Sequence, residues 1–266
     1  MTNLFYLQLI TSFLVGGSTI ALLSFVAEKA NGKIAGILLS LPSTVVVSFI
    51  FIAWATSPEA VGKIAPIAVA TDGSVMIFSV VYMYVSRIKL PRTQSIILSL
   101  SGGLGSWLIL SVPLAIYKFD NIILSLLIFG LFVSIAYYFL TIKNNVKEQK
   151  VHLAYNTVQK LGRAIFAGSI ITLAVFLSKV LHPFWGGVMS GFPAAFTSTF
   201  VILHWYYGSD MLFKIGKTVA AGSFVYVPFV VASHWTFPAF GIFGGTISAY
   251  LVSLVVFFAL MKLKRK

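Results

Sequence analysis

Few side chains in this sequence are able to do chemistry, and Asp72 stands in the least ordinary setting of them. It lies eight residues into an apolar run that opens near Ile64. At 1.5 Å of rise per helical residue, that depth is roughly 12 Å into a bilayer, close to the midplane. A charged aspartate there costs roughly 2.5–3.5 kcal/mol on insertion scales, so it faces a bundle interior and marks an ion or proton path. The plainer role is a neutral, hydrogen-bonded acid that joins helices. Asp72 is therefore the candidate coupling residue, the group that takes up a proton or a cation in each cycle.

Two further stretches break a rule of helices. Pro42 sits at mid-length of one apolar run, within Gly36 to Thr44, and Pro193 at mid-length of another, within Gly187 to Ala195. Proline removes a backbone donor, and a membrane helix tolerates the gap only where protein or a cavity satisfies the freed groups. Each proline is expected to start a half-helix whose free terminus binds solute. Ser40, Pro42, Ser43 and Thr44 are the candidates at the first break; Gly191, Pro193, Thr197 and Ser198 are those at the second, with Thr199 beside them. The competing reading is that the prolines only kink their helices and the hydroxyls bond back to their own backbone.

The other polar residues read as structural. His204 and His234 fall near helix ends and are expected at the membrane interface, and no spacing matches a metal site. Glu59 with Lys63, and Asp210 with Lys214, are four residues apart, the spacing of helix-end salt bridges. Trp54, Trp205 and Trp235 fall at expected helix ends as interface anchors. With no cysteine, thiolate chemistry is excluded. Paired carboxylates and a serine–histidine arrangement are missing as well, so the expectation is no enzyme, no cofactor and no catalytic residue.

The elements that must position these residues follow from composition. The chain is 59% hydrophobic and 9% charged, with a mean hydropathy of +0.98; lipid must be the solvent for much of its surface. Nine apolar runs of crossing length are expected, at about 5–27, 34–54, 64–86, 95–117, 122–142, 164–181, 185–206, 215–234 and 238–261. The first has no Lys or Arg before it and reads as a retained helix, not a signal peptide. Between the fifth and sixth runs, residues 143–163 form either a linker or a surface helix around Val151, Leu153, Val158 and Leu161. The net charge of +13 lies almost entirely between runs, which points to membrane orientation and away from nucleic acid.

The chain also resembles itself. An offset of 151 residues aligns Gly17 with Gly168, Gly36 with Gly187, Pro42 with Pro193, Trp54 with Trp205, and Phe78 with Phe229, without a gap from Gly17 to Val80. Composition alone does not place a proline, a tryptophan and an acid-to-lysine spacing in one register. The expected domains are a four-helix repeat at 1–118, a connector helix and linker at 119–163, and a second repeat at 164–266. The single extra crossing inverts the second repeat, giving an all-α 4+1+4 membrane protein. In it Asp72 has Ser223 as its repeat partner, which makes the site asymmetric. The topology puts sixteen basic residues on one side and Lys63, Lys118 and Lys179 on the other. By the positive-inside rule the N-terminus is outside and the C-terminus cytoplasmic, in the cell membrane.

Each half, and above all Ala164 to Lys264, resembles the GlpM-like family of small four-helix membrane proteins. The resemblance rests on Gly187, Phe192-Pro193, His204, Tyr206 and Pro228-Phe229-Val230. It implies a four-helix unit able to exist alone and to pair head to tail, which leaves a homodimer open. The family brings no settled activity, and this chain departs from it in being a double-length form.

Inverted repeats with a broken helix in each half are a design of secondary transporters. The functional expectation is a secondary transporter or exporter of a small solute or ion, embedded in membrane lipid and working by alternating access. A channel or passive pore of the same fold, and a non-transporting membrane scaffold subunit, are the alternatives.

Overall fold

The computed structural model describes residues 3–29, 43–144 and 156–263, with the side chains of 24, 27–29, 215–225, 257, 260, 261 and 263 excepted. Every regular element among them is helical. The helices are α1 (Asn3–Lys29), α2 (Ser43–Ala55), α3 (Pro58–Val85), α4 (Arg92–Ile116), α5 (Ile122–Tyr137, extended by a π turn, Tyr138–Ile142), α6 (Thr157–Val180), α7 (Pro183–Ser190), α8 (Ala194–Tyr207) and α9 (Ser209–Leu263). These nine labels are not the nine expected crossings: α7 and α8 share one apolar run, and α9 contains two. Seven described helical stretches are long and apolar enough to cross a membrane. The chain has the all-α architecture of a multi-pass integral membrane protein.

The core is α3. Its membrane-length window is 83% buried, while those of α1, α4 and α5 are 22–33% buried and turn residues such as Ile109 and Ile123 outward. Ser57 starts α3 by accepting a hydrogen bond from the Ala60 amide at 3.2 Å, with Pro58 at the first position, where its missing N–H costs nothing. Small residues then let neighbours close in. A Cβ at Gly73 would lie 3.0 Å from the Phe129 backbone of α5, and one at Gly62 would lie 2.9 Å from the His234 carbonyl of α9.

Two antiparallel helix pairs organise the bundle, the second of them made by α3 itself with α9. In the first, α1 and α6 touch at Gly17 and Gly168, where a Cβ on Gly168 would lie 3.3 Å from the Gly17 amide nitrogen. In the second, His234 of α9 lies 2.7 Å from the Gly62 carbonyl at one end of α3, and Tyr84 meets Phe213 at the other, with ring centroids 5.4 Å apart. Across the bundle, Phe78 stacks on Phe200 at 5.9 Å and Phe49 meets Phe229 at 6.3 Å. Residues 151 apart thus make corresponding contacts.

Several boundaries differ from expectation. Helix α6 starts at Thr157 instead of about 164, because Asn156 and Gln159 close a capping box. Val158 and Leu161 belong to its exposed first turns, whereas Val151 and Leu153 lie outside the described residues. The turn expected at 235–237 falls instead at Gly241, which has a φ of 69°. There the chain doubles back: Thr236 donates a hydrogen bond to the Gly245 carbonyl at 3.0 Å, and Tyr250 packs on Phe229.

Among the described residues, charged side chains gather at each end of α3. At one end the His182 imidazole feels the ammoniums of Lys118 and Lys63. At the other, Arg87 lies 3.4 Å from the centre of the Phe213 ring, and the Asn144 side chain reaches both Arg87 and the Phe213 carbonyl.

Candidate functional site

The second interrupted helix is broken where the sequence places Pro193. Helix α7 ends at Ser190 in tight turns, Gly191 N–H to Val188 O at 3.1 Å and Phe192 N–H to Met189 O at 3.1 Å; α8 starts at Ala194. Gly191 is buried against α3, so a Cβ there would stand 2.8 Å from Thr71 Cγ2. The break therefore packs beside the residue next to Asp72. Phe192 fills the gap between helices, with its ring 5.1 Å from Trp107 of α4 and 6.0 Å from Phe166 of α6.

Of the hydroxyls expected there, Ser198 is spent on its own helix, donating to the Ala194 and Ala195 carbonyls at 3.0 and 3.1 Å. Thr199 accepts from Arg163 at 2.9 Å. Thr197 is buried and its Oγ1 has no partner. Because helical side chains lean toward the N-terminus, that hydroxyl tilts back toward the break.

The first break is only partly visible. Ser40 and Pro42 lie outside the described residues. Ser43 and Thr44 open α2, half-buried, one residue after the proline. Helix α2 does meet the other interrupted segment: Ile52 lies 3.2 Å from the position of a Cβ on Gly186 in α7.

Asp72 is buried at mid-length of α3, and its Oδ2 has no hydrogen-bond partner. The Tyr226 hydroxyl of α9 is likewise buried and unpartnered. Residue 223 sits one turn before it on α9; its side chain is outside the described set.

His204 lies in the last turn of α8, near the helix end as expected, but it is turned into the bundle. It is buried, between the Tyr82 hydroxyl, 3.4 Å from Nδ1, and the Ser95 hydroxyl, 3.3 Å from Nε2. Its face of α8 continues the buried line of Thr197, Phe200 and Leu203, so helix phase buries it although it lies near the helix end. The stacked Phe78 and Phe200 rings separate this polar chain from the level of Asp72.

Tyr226 and Trp107 were not singled out from sequence. Trp107 is 1% exposed with its Nε1 unpartnered. A signal for Tyr226 existed, since it lies three residues after Ser223, the repeat partner of Asp72, and so on the same helix face. No comparable signal marks Trp107.

A family model described as a protein of unknown function, DUF3147, matches residues 9–121. The match runs from α1 through α4 and includes Asp72 and Trp107. No curated protein and no solved structure matches the chain.

Proposed function

We propose that this chain is a secondary transporter or exporter of a small solute, with Asp72 as its coupling carboxylate. The observation that carries the reading is a buried, unpartnered carboxyl oxygen at mid-length of the central helix, beside an interrupted helix. Bilayer proteins hold ionisable groups at that depth for ion and proton paths, and broken helices near them bind solute.

The proposed architecture is nine crossings in an inverted 4+1+4 arrangement, two GlpM-like units fused in one chain. Three observations support it. Gly17 meets its own repeat counterpart, Gly168. The contact of Phe78 with Phe200 has its image in that of Phe229 with Phe49. Lys63 and Lys118 gather with His182 at the end away from Arg87. In this reading the Arg87 end is cytoplasmic.

Proteoliposome uptake across metabolite classes, with and without a pH gradient, tests the reading in wild type and Asp72→Asn. Gradient-driven accumulation of one class is expected in the wild type and lost in the variant. Accumulation that survives in Asp72→Asn overturns the coupling role, and gradient-independent leak identifies a passive pore. If no class moves and a second protein co-purifies, the chain is a scaffold subunit.

A further inference from the structure

Among the described side chains of the helices packed around it, the carboxyl of Asp72 has no counter-charge beside it. Helix α3 packs against α2, α4, α5, α7 and α9. Helices α2 and α7 contain no ionisable side chain; α4 has only Arg92, at its first residue, and α5 only Tyr137, at its last. Helix α8 brings His204, which meets Tyr82, nearly three turns along α3 from Asp72.

Helix α9 is fixed in register by the contacts of Gly62 with His234 and of Tyr84 with Phe213. By interpolation between them, Asp72 is level with positions 224 and 225 of α9, within two residues of Tyr226. Asp210, Lys214, Lys217 and His234 are two turns or more away along that helix, and Tyr250 packs on Phe229. A buried carboxylate with no protein cation beside it takes its neutralising charge from outside.

We propose that Asp72 and Tyr226 form a proton-binding pair across α3 and α9. Hard metal ions gather about six oxygen ligands, and the two hydroxyls nearest Asp72 on α3 are engaged: Thr71 donates to the Ile67 carbonyl at 2.7 Å and Ser74 to that of Ala70 at 3.4 Å. A proton needs only one acceptor. In the loaded state the new O–H on Oδ2 donates to the Tyr226 oxygen; in the unloaded state the Tyr226 O–H turns and donates to the carboxylate. The proton comes from water and returns to water, Tyr226 keeps its own proton throughout, and no other bond is made or broken.

Tyr226 is a positioning residue. It gives both charge states of Asp72 a partner. Only its purpose rests on the transport reading; the pair itself is measurable in the purified protein.

Infrared titration of the full chain in detergent micelles tests it, following the protonated-carboxyl band that Asp72→Asn removes. That band is expected to disappear in one step as pH rises. Tyr226→Phe keeps the ring and removes the partner of both charge states; because the bond to the carboxylate is charge-assisted and the stronger of the two, proton affinity is expected to rise about ten- to a hundredfold, moving the midpoint up. Tyr250→Phe is expected to leave it in place. A wild type with no Asp72 band, or a midpoint unmoved in Tyr226→Phe, overturns the pair. A shifted midpoint without proton-driven flux leaves the pair standing and removes the transport reading, whereas flux lost in Asp72→Asn with no Tyr226→Phe shift removes the pair alone.

Discussion

Side chains at this molecule's helix contacts matter mostly by being absent. A Cβ at Gly168 would stand 2.8 Å from the Phe13 carbonyl, a backbone atom that moves only if α1 and α6 separate. Gly105, in α4, has nothing within 4 Å of its Cβ position. The same substitution therefore has opposite consequences. Gly168→Ala is expected to destabilise by about 1–3 kcal/mol through overpacking. Gly105→Ala is expected to be neutral or to stabilise by up to about 1 kcal/mol through helix propensity. Thermal melts in one detergent measure both, and a Gly168→Ala protein melting like wild type would dismiss the close crossing. Gly17 and Gly168 were legible as a repeated pair in the sequence; that they meet each other was not, because contact between two helices depends on which faces they present.

At the scale of elements, apolar run length located the helices, and errors gathered at their ends. The Asn156–Gln159 capping box was readable from its spacing and lengthens α6 by two turns. Pro238 suggested a helix start, yet it stays within the helix and packs against Gly62 while Gly241 makes the turn. Proline marks a boundary only when its ring blocks the preceding turn, but an L-residue at a φ of 69° is strained wherever it occurs. Gly241→Ala is accordingly expected to lose about 1–2 kcal/mol. Thr236→Val, which deletes the hydroxyl that bridges to the Gly245 carbonyl, is expected to lose about 0.5–1.5 kcal/mol. Denaturation of the two variants beside Pro238→Ala separates the causes. Should Pro238→Ala be the most damaging of the three, the hairpin is set by proline and not by the Gly241 conformation. The site was legible to a similar degree: Asp72 and the Pro193 break stood out by residue type, whereas Trp107 and Tyr226 gain their role from the helices that face them.

The whole molecule is tied together by its two ends and by the correspondence between its halves. His182 lies outside the crossing helices, and burial, with the ammoniums of Lys118 and Lys63, holds its imidazole below the usual histidine range. Removing a positive neighbour favours the imidazolium, so Lys118→Gln is expected to raise the His182 midpoint in an NMR titration; an unmoved midpoint would separate the two loops. The correspondence between halves is tested by distance. Phe78 and Phe200 are 151 residues from Phe229 and Phe49, and both pairs touch, with ring centroids 5.9 and 6.3 Å apart. If the halves are related by a two-fold axis, the two contacts are one contact seen twice, and under the proposed alternating access whatever opens one closes the other. The chain has no native cysteine, so double replacements at Phe78 with Phe200, and at Phe49 with Phe229, need no prior background removal. A short thiol cross-linker is expected to join both pairs in the resting protein. Under a solute gradient the two yields are expected to change in opposite directions, as alternating access around an inverted repeat requires. Yields that rise and fall together would mean that the halves move as one body, which leaves the duplication intact but removes the mechanism built on it.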